Sequence, residues 1–334
     1  MVRFILWRVV GLIVTLWAAS LIMFVVVRVI PGDPVAGLIG FGTPRFVIED
    51  IREQMGLNLP LHEQYVRYLA DLARGNLGIS FESRLPVGVE LRQRFAASAE
   101  LVLFSLLLTV PLGVALGVAS AARWGSNADG WVRFLSLIGA AAPLFWVALV
   151  FQLLFFRTLG WLPADGRIDL VVGAPRQITG FFLADSLLTR NWDALASTLR
   201  HILLPGVALA LNSLGLLVRQ TRASVLQVMR EDFIRTARAK GLQERLVLFV
   251  HALRASGIPI VTEVGLQFGI VLGATFLVEI VFSWPGLGMY AVRAIVNLDY
   301  PAVLGVAQLF TLVYIVANFL VDLSYPLLDP RITR

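Results

Sequence analysis

The sequence predicts an all-α integral membrane protein: six transmembrane helices, an extracytoplasmic lobe between the first and second, and a cytoplasmic loop between the fourth and fifth. Three observations carry this. First, hydrophobic residues fill 58% of the 334 positions and charged ones 15%, with a mean hydropathy of +0.80. Soluble domains average about 45–50% apolar and about 25% charged. Second, the apolar residues gather in six runs, each close to the roughly 20 helical residues that cross a hydrocarbon core about 30 Å thick. Third, the connections alternate in charge. Of the net +6, inner segments carry +9 and outer segments −1, the remainder lying within or at the ends of spans. Excess Lys and Arg mark cytoplasmic loops, and the short connections weigh most.

Arg3 and Arg8 precede the first run, Val9 to Val27. A cleavable signal peptide has an apolar core of only about 7–15 residues, so a retained span with its start inside is favoured. Residues 1–30 form the N-terminus and this span. Ile30-Pro-Gly-Asp-Pro34 then makes a turn that a helix cannot continue through. Residues 31–100, with 9 acids and 7 bases, read as the lobe. Two amphipathic pieces, Arg45 to Met55 and His62 to Ala73, lie within it, and Tyr65, Tyr68, Leu69 and Leu72 share a helical face that argues for packing over disorder.

The transmembrane core, 101–328, begins with Leu101 to Ala122, where Gly113 and Gly117 stand in GxxxG spacing. Arg123, Asp129 and Arg133 form an inner turn. Phe134 to Phe156 is the third span, kinked at Pro143. Arg157 to Arg200 returns outside, and its apolar Phe181 to Leu188 is too short to cross, so it is surface-lying or re-entrant. Ile202 to Val218 is the fourth span. Ile258 to Val281 is the fifth, with Gly265, Gly269 and Gly273 on one stripe that would admit a neighbouring helix. Phe282 to Gly288 forms an aromatic-anchored turn, Pro301 to Pro326 the sixth span, and 329–334 a cytoplasmic tail marked by Arg331 and Arg334.

The inner connection 219–257 stands apart. Between Arg219 and Arg254, eight basic residues oppose three acids. Glu231 and Asp232 begin a helix-like run that Arg235, Arg238 and Lys240 end, a polarity that suits the helix dipole. Gly241 follows where a left-handed residue closes helices, and Gln243 to Arg254 reads as a second helix. Small residues Thr236, Ala237 and Ala239 precede the turn. Helix, glycine turn and helix with a cationic flank describe either a docking knob or an ordinary solvated basic loop.

The string EDFIRTARAKGL (231–242), followed by HALR (251–254) and Pro259, resembles the cytoplasmic EAA loop of binding-protein-dependent ABC importer permeases. More narrowly it is similar to the B-type subunits of the oligopeptide, dipeptide and nickel branch. Ala237, Gly241 and Leu253 match the general EAA pattern. Arg235, Thr236, His251 and Arg254 depart from it in the way usual for this branch. Similarity extends through Ile30-Pro-Gly-Asp-Pro34, Gly75-Asn-Leu-Gly-Ile-Ser80, Phe282-Ser-Trp-Pro-Gly-Leu-Gly288 and Asp329-Pro-Arg-Ile332. The resemblance implies a coupling helix gripped by an ATPase, carried on Glu231, Asp232, Arg235, Thr236, Ala237, Arg238, Ala239, Lys240, Gly241 and Leu242. It further implies a second permease subunit, two ATPase subunits and an extracytoplasmic binding protein that docks on the lobe. The setting would be the bacterial inner membrane with both termini cytoplasmic. Cargo would be di- or oligopeptides, with nickel chelates or glutathione as alternatives.

The residues present limit other functions. Lys240 is the single lysine and precedes glycine, so no phosphate loop of the form GxxxxGK[ST] exists. ATP and Mg would therefore sit on partner subunits, with no cofactor in this chain. Cysteine is absent, which removes thiolate metal sites and thiol nucleophiles. His62, His201 and His251 lie far apart in the expected topology, so neither catalytic nor metal-binding residues are expected. Glu263, Glu279 and Asp322 fall in spans, where ionisable groups by default suggest function, although near span ends they can snorkel or pair with arginine. Asn212, Gln267, Glu279, Gln308 and Asn318 could line a polar path, or bond neighbouring helices. A self-contained secondary transporter is the rival class, but neither an internal repeat nor a central ion pair supports it.

Overall fold

The computed structural model describes residues 2–29, 44–54 and 56–328. Among them helices dominate, and the sole strand-like pairing is a bridge between Ile79 and Pro86. The helices are α1 (Val2–Val29), α2 (Arg45–Gln54), α3 (Leu61–Ala73), α4 (Val87–Ala122), α5 (Asn127–Ala141), α6 (Leu144–Phe151), α7 (Phe182–Leu188) and α8 (Trp192–Val228). They continue with α9 (Asp232–Ala239), α10 (Glu244–Leu246), α11 (Leu253–Ala255), α12 (Gly257–Val281), α13 (Leu287–Val296) and α14 (Tyr300–Leu328). π-helical turns extend α6 through Gln152–Thr158 and join α10 to α11 through Val247–Ala252. Five helices, α1, α4, α8, α12 and α14, are long and apolar enough to cross a membrane, and the bent pair α5–α6 makes a sixth span if counted as one. The motifs at 30–34 and 329–332, and the C-terminal tail, lie outside the described residues.

The third span departs most from expectation. Instead of a kink, the chain bends by 97° between α5 and α6. Ala142 is extended (φ −71°, ψ 130°), because the ring of a following proline disfavours helical backbone. Pro143 then caps α6 without donating a backbone hydrogen bond.

Two compact units emerge, one of Ala97–Trp284 with Val316–Arg334 and the other of Val2–Ala96 with Pro285–Ile315. In the first, α4 and α8 pack side by side. A β-carbon on Gly113 would come within 2.7 Å of Leu217, and one on Gly117 within 2.6 Å of Thr221. Thr109 and Ser213 share a hydrogen bond of 3.2 Å. These pairs rise together in number, so the helices run parallel in one register, and the GxxxG spacing does what close helix approach requires. The stripe on α12 is used less. A β-carbon on Gly265 would come within 2.8 Å of Val321, but one on Gly273 would meet nothing within 4 Å.

The segment that leads into and through α7 is tied down by charge. Arg167 donates to Glu100 through Nε (2.9 Å) and Nη2 (2.5 Å), to Gly180 O (2.9 Å), and stacks 3.7 Å from the Phe182 ring centroid. Glu100 also caps Leu183 N at 2.7 Å. Phe181 to Leu188 thus becomes the short helix α7, held by buried partners.

In the second unit, Tyr65 and Tyr68 of α3 pack on Phe24 of α1 with centroids 5.3 and 5.8 Å apart, and Tyr65 shares a 2.9 Å hydrogen bond with Ser20. Of the four residues expected to share a packed face on α3, Tyr65 and Tyr68 are thus packed against α1. Helix α13 was not expected. It follows the 282–288 turn, buries Leu287, Tyr290, Ala291 and Ala294, and is anchored by Tyr290 donating to Glu90 at 2.6 Å.

Candidate functional site

The basic connection folds as the sequence suggests, with one reversal. Glu231 is extended (φ −71°, ψ 151°) and opens α9, with Asp232 in its first turn and Arg238 in its last. Gly241 is left-handed, φ +77°. Its N–H donates to Arg238 O at 2.9 Å and Leu242 N–H to Ala237 O at 3.3 Å. That pair of bonds is the Schellman closure, which needs a residue without Cβ strain at this place. Across the turn Arg238 grips Glu244 with Nε at 3.1 Å and Nη2 at 2.5 Å. The hydrogen bonds raise the arginine above its ordinary value and hold the Glu244 carboxyl below the usual range. Arg235 bonds Asp232 at 3.2 Å, and Thr236 Oγ1 donates to Asp232 O at 3.0 Å.

α9 has two unlike faces. Ile234, fully buried, and Ala237, 8% exposed, pack into a cluster with Val118 and Ala121 of α4, Val225 of α8, and Val247, Leu248 and Ala252 of the π-helical turn. The opposite face exposes Glu231, Asp232, Phe233, Arg235, Thr236, Arg238, Ala239 and Lys240, with Gly241 and Leu242 beyond. Ala237 is thus turned inward, against the expectation that it faces outward: its small size serves contact within this chain, because anything larger would push α9 off α4 and α8. Ala239 keeps the outward position.

The polar residues considered for a path do not converge. Gln267 is buried, its Nε2 donating to Glu263 Oε1 at 2.9 Å while its Oε1 finds no partner among the described residues. Glu279 is fully buried and accepts from Ser98 Oγ at 2.5 Å, so it neither snorkels nor rests on an arginine alone. Asn212 and Asn318 are half-buried on α8 and α14. Gln308 is buried on α14 in the other unit.

Residues 113–334 match the model of the binding-protein-dependent transport system inner membrane component, and residues 1–102 that of its N-terminal region. The chain belongs to this family. The permease is 41% identical over 334 residues to the di/tripeptide transport system permease protein DppB of Pseudomonas aeruginosa, covering 99% of each chain. It is 38% identical over 337 residues to the dipeptide transport system permease protein DppB of Escherichia coli, again 99% of each. To the glutathione transport system permease protein GsiC of Salmonella paratyphi A it is 36% identical over 332 residues, 99% of each. It is a multi-pass inner-membrane permease of an ABC importer.

Sequence reasoning passed over Ile234 and Phe233. Ile234 anchors α9, while Phe233 (47% exposed) is its large exposed apolar side chain, with Leu242 (39%), which was expected, just past the turn. The signal was there in the spacing: Ile234 and Ala237 are i and i+3, one side of an otherwise polar helix.

Proposed function

We propose that this permease joins a second permease of similar fold, that the path for di- or oligopeptides lies where the two meet, and that two ATPase subunits drive it through α9. An extracytoplasmic binding protein would deliver the peptide, docking on the lobe formed by residues 31–100. ATP and Mg would be held by the ATPases, with no hydrolysis in this chain and both termini in the cytoplasm. The observation that carries the reading is the build of α9. It is fastened to the ends of α4 and α8 by Ile234 and Ala237, yet presents Phe233, Arg235, Arg238, Ala239, Lys240 and Leu242 outward. Exposed apolar side chains rimmed by cations suit a groove on another subunit, and a helix fused to the spans passes on any push it receives. Peptide cargo is supported by the names of the relatives. Glutathione or a nickel chelate remains the alternative, and a bound differential free energy between the two states limits how far any cargo shifts the cycle.

The absence of cysteine makes the test clean. A single cysteine at Ala239 or Phe233, paired with one on the ATPase surface, should crosslink in membranes, and the yield should change with nucleotide. Crosslinking that is absent at both positions, with normal uptake, would sink the reading.

A further inference from the structure

We propose that Asp129 is a positioning residue for energy coupling: its buried pairing with Arg222 locks the inner ends of α4, α5 and α8 into the block that carries α9, so that movement of α9 turns the bent α5–α6 span. This rests on the reading of α9 as the element the ATPase moves. Asp129 is 1% exposed. Its Oδ1 accepts from Arg222 Nε at 2.8 Å and from Ser120 Oγ at 2.5 Å, and its Oδ2 from Arg222 Nη2 at 2.8 Å and Gly125 N at 3.1 Å. One carboxylate thereby joins α4, the α4–α5 turn, the first turn of α5, and α8. Arg133 stands farther off, at 3.7 Å and 61% exposed.

The same helices hold α9. Val118 and Ala121 flank Ser120 on α4, and Val225 lies one helical turn beyond Arg222 on α8. All three belong to the cluster that seats Ile234 and Ala237. The apolar cluster fastens α9 to α4 and α8; α5 packs along α8, where a β-carbon on Gly215 would meet Ser136 O and Ala140, and the ion pair fixes its first turn to both helices. Removing two charges from water costs several kcal/mol per ion, and a well-packed apolar pair is often as stable. A bidentate pair kept in such a place fixes orientation, because guanidinium and carboxylate meet in one geometry that lysine does not reproduce. Through it α5 is held at its start and bends by 97° at its end, which places the break at the far side of a lever clamped to the driven block.

The test uses the full importer in proteoliposomes, reading peptide imported per ATP hydrolysed, normalised to assembled complex. D129N and R222K should still bring the ATPase through purification and hydrolyse ATP within about twofold of the parent. Because each breaks the two-point pairing that orients α5 on α8, uptake per ATP should fall about 10- to 100-fold, equivalent to about 1.4–2.8 kcal/mol. D129E should recover part of it, and R133A should behave as the parent. Unchanged uptake per ATP in assembled D129N overturns the proposal, as does a fall in uptake that only tracks lost assembly. Should D129N not assemble, R222K decides by the same ratio. If the unaltered permease brings no ATPase with it, the underlying reading fails instead.

Discussion

Replacing Ile234 by alanine should detach α9 from the body of the permease without touching its outer face. Ile234 has no exposed surface and sits among Val118, Ala121, Val225, Val247 and Leu248. Three buried carbons are lost. At about 0.8 kcal/mol each, with a cavity left by incomplete collapse, the cost is about 2–4 kcal/mol. α9 has 8 residues, too few to persist alone, so the loss appears as undocking. At 1.4 kcal/mol per decade, the undocked population should rise about 30- to 700-fold. Hydrogen exchange across 232–242 in the solubilised complex reads this directly. Phe233→Ala is the control, since a side chain 47% exposed contributes little to the seat: its exchange should stay within about threefold while crosslinking to the ATPase weakens. If Ile234→Ala exchanges like the parent, or Phe233→Ala exchanges as fast as Ile234→Ala, the assignment of inner and outer faces is wrong.

Arg167→Ala should cost about 3–5 kcal/mol, since it strands the Glu100 carboxylate, whose side chain is 3% exposed. The double change Glu100→Gln with Arg167→Met should cost clearly less, as thermal unfolding of the detergent-solubilised protein would show. Gly117→Val would force a β-carbon to within 2.6 Å of Thr221, and should cut the yield of folded protein in the membrane. Gly273→Ala, which meets nothing within 4 Å, should not. Asp185 gives a pH prediction. Burial would raise its carboxyl, but Thr179 Oγ1 and the N–H groups of Thr179, Ile178 and Gly180 hold it below the ordinary 3.8. A lowered carboxyl stabilises above its unfolded value and loses that contribution as pH falls through the folded one. Protease resistance of the 178–191 segment should thus be flat from pH 7 to about pH 4 and drop only in stronger acid. In Asp185→Asn it should be weaker throughout, without that acid step.

Most of the architecture was legible because it is written locally. Apolar runs give the spans, the Tyr65 and Tyr68 spacing gives the face on α1, and Gly241 gives the end of α9. The misses are non-local. Pro111 and Pro205 are carried inside α4 and α8, so a proline in an apolar run does not by itself announce the break found at Ala142–Pro143. Ala237 and Ala239 are equally small, and only the positions of Val118, Ala121 and Val225, remote in sequence, decide which of them is covered. The second span was started at Leu101, yet α4 begins at Val87, since Glu90, Arg92 and Arg94 mask a helix whose charges are met by tertiary partners. Glu90 is met by Tyr290 and by Ser83 at 2.9 Å.

Those partners bear on how the permease is powered. Ionisable side chains in spans usually mark a transport pathway or proton relay, and an ion-coupled carrier needs a carboxylate that can exchange its proton or ion during the cycle. Here the buried carboxylates Asp129, Glu100 and Glu279 are engaged in joining segments. Asp129 takes Arg222 and Ser120, Glu100 takes Arg167 and Leu183 N, and Glu279 takes Ser98. Releasing any one of them to carry a coupling ion would loosen the packing it secures. Carboxylates spent on structure fit the proposal that the driving force reaches this permease from outside the membrane through α9.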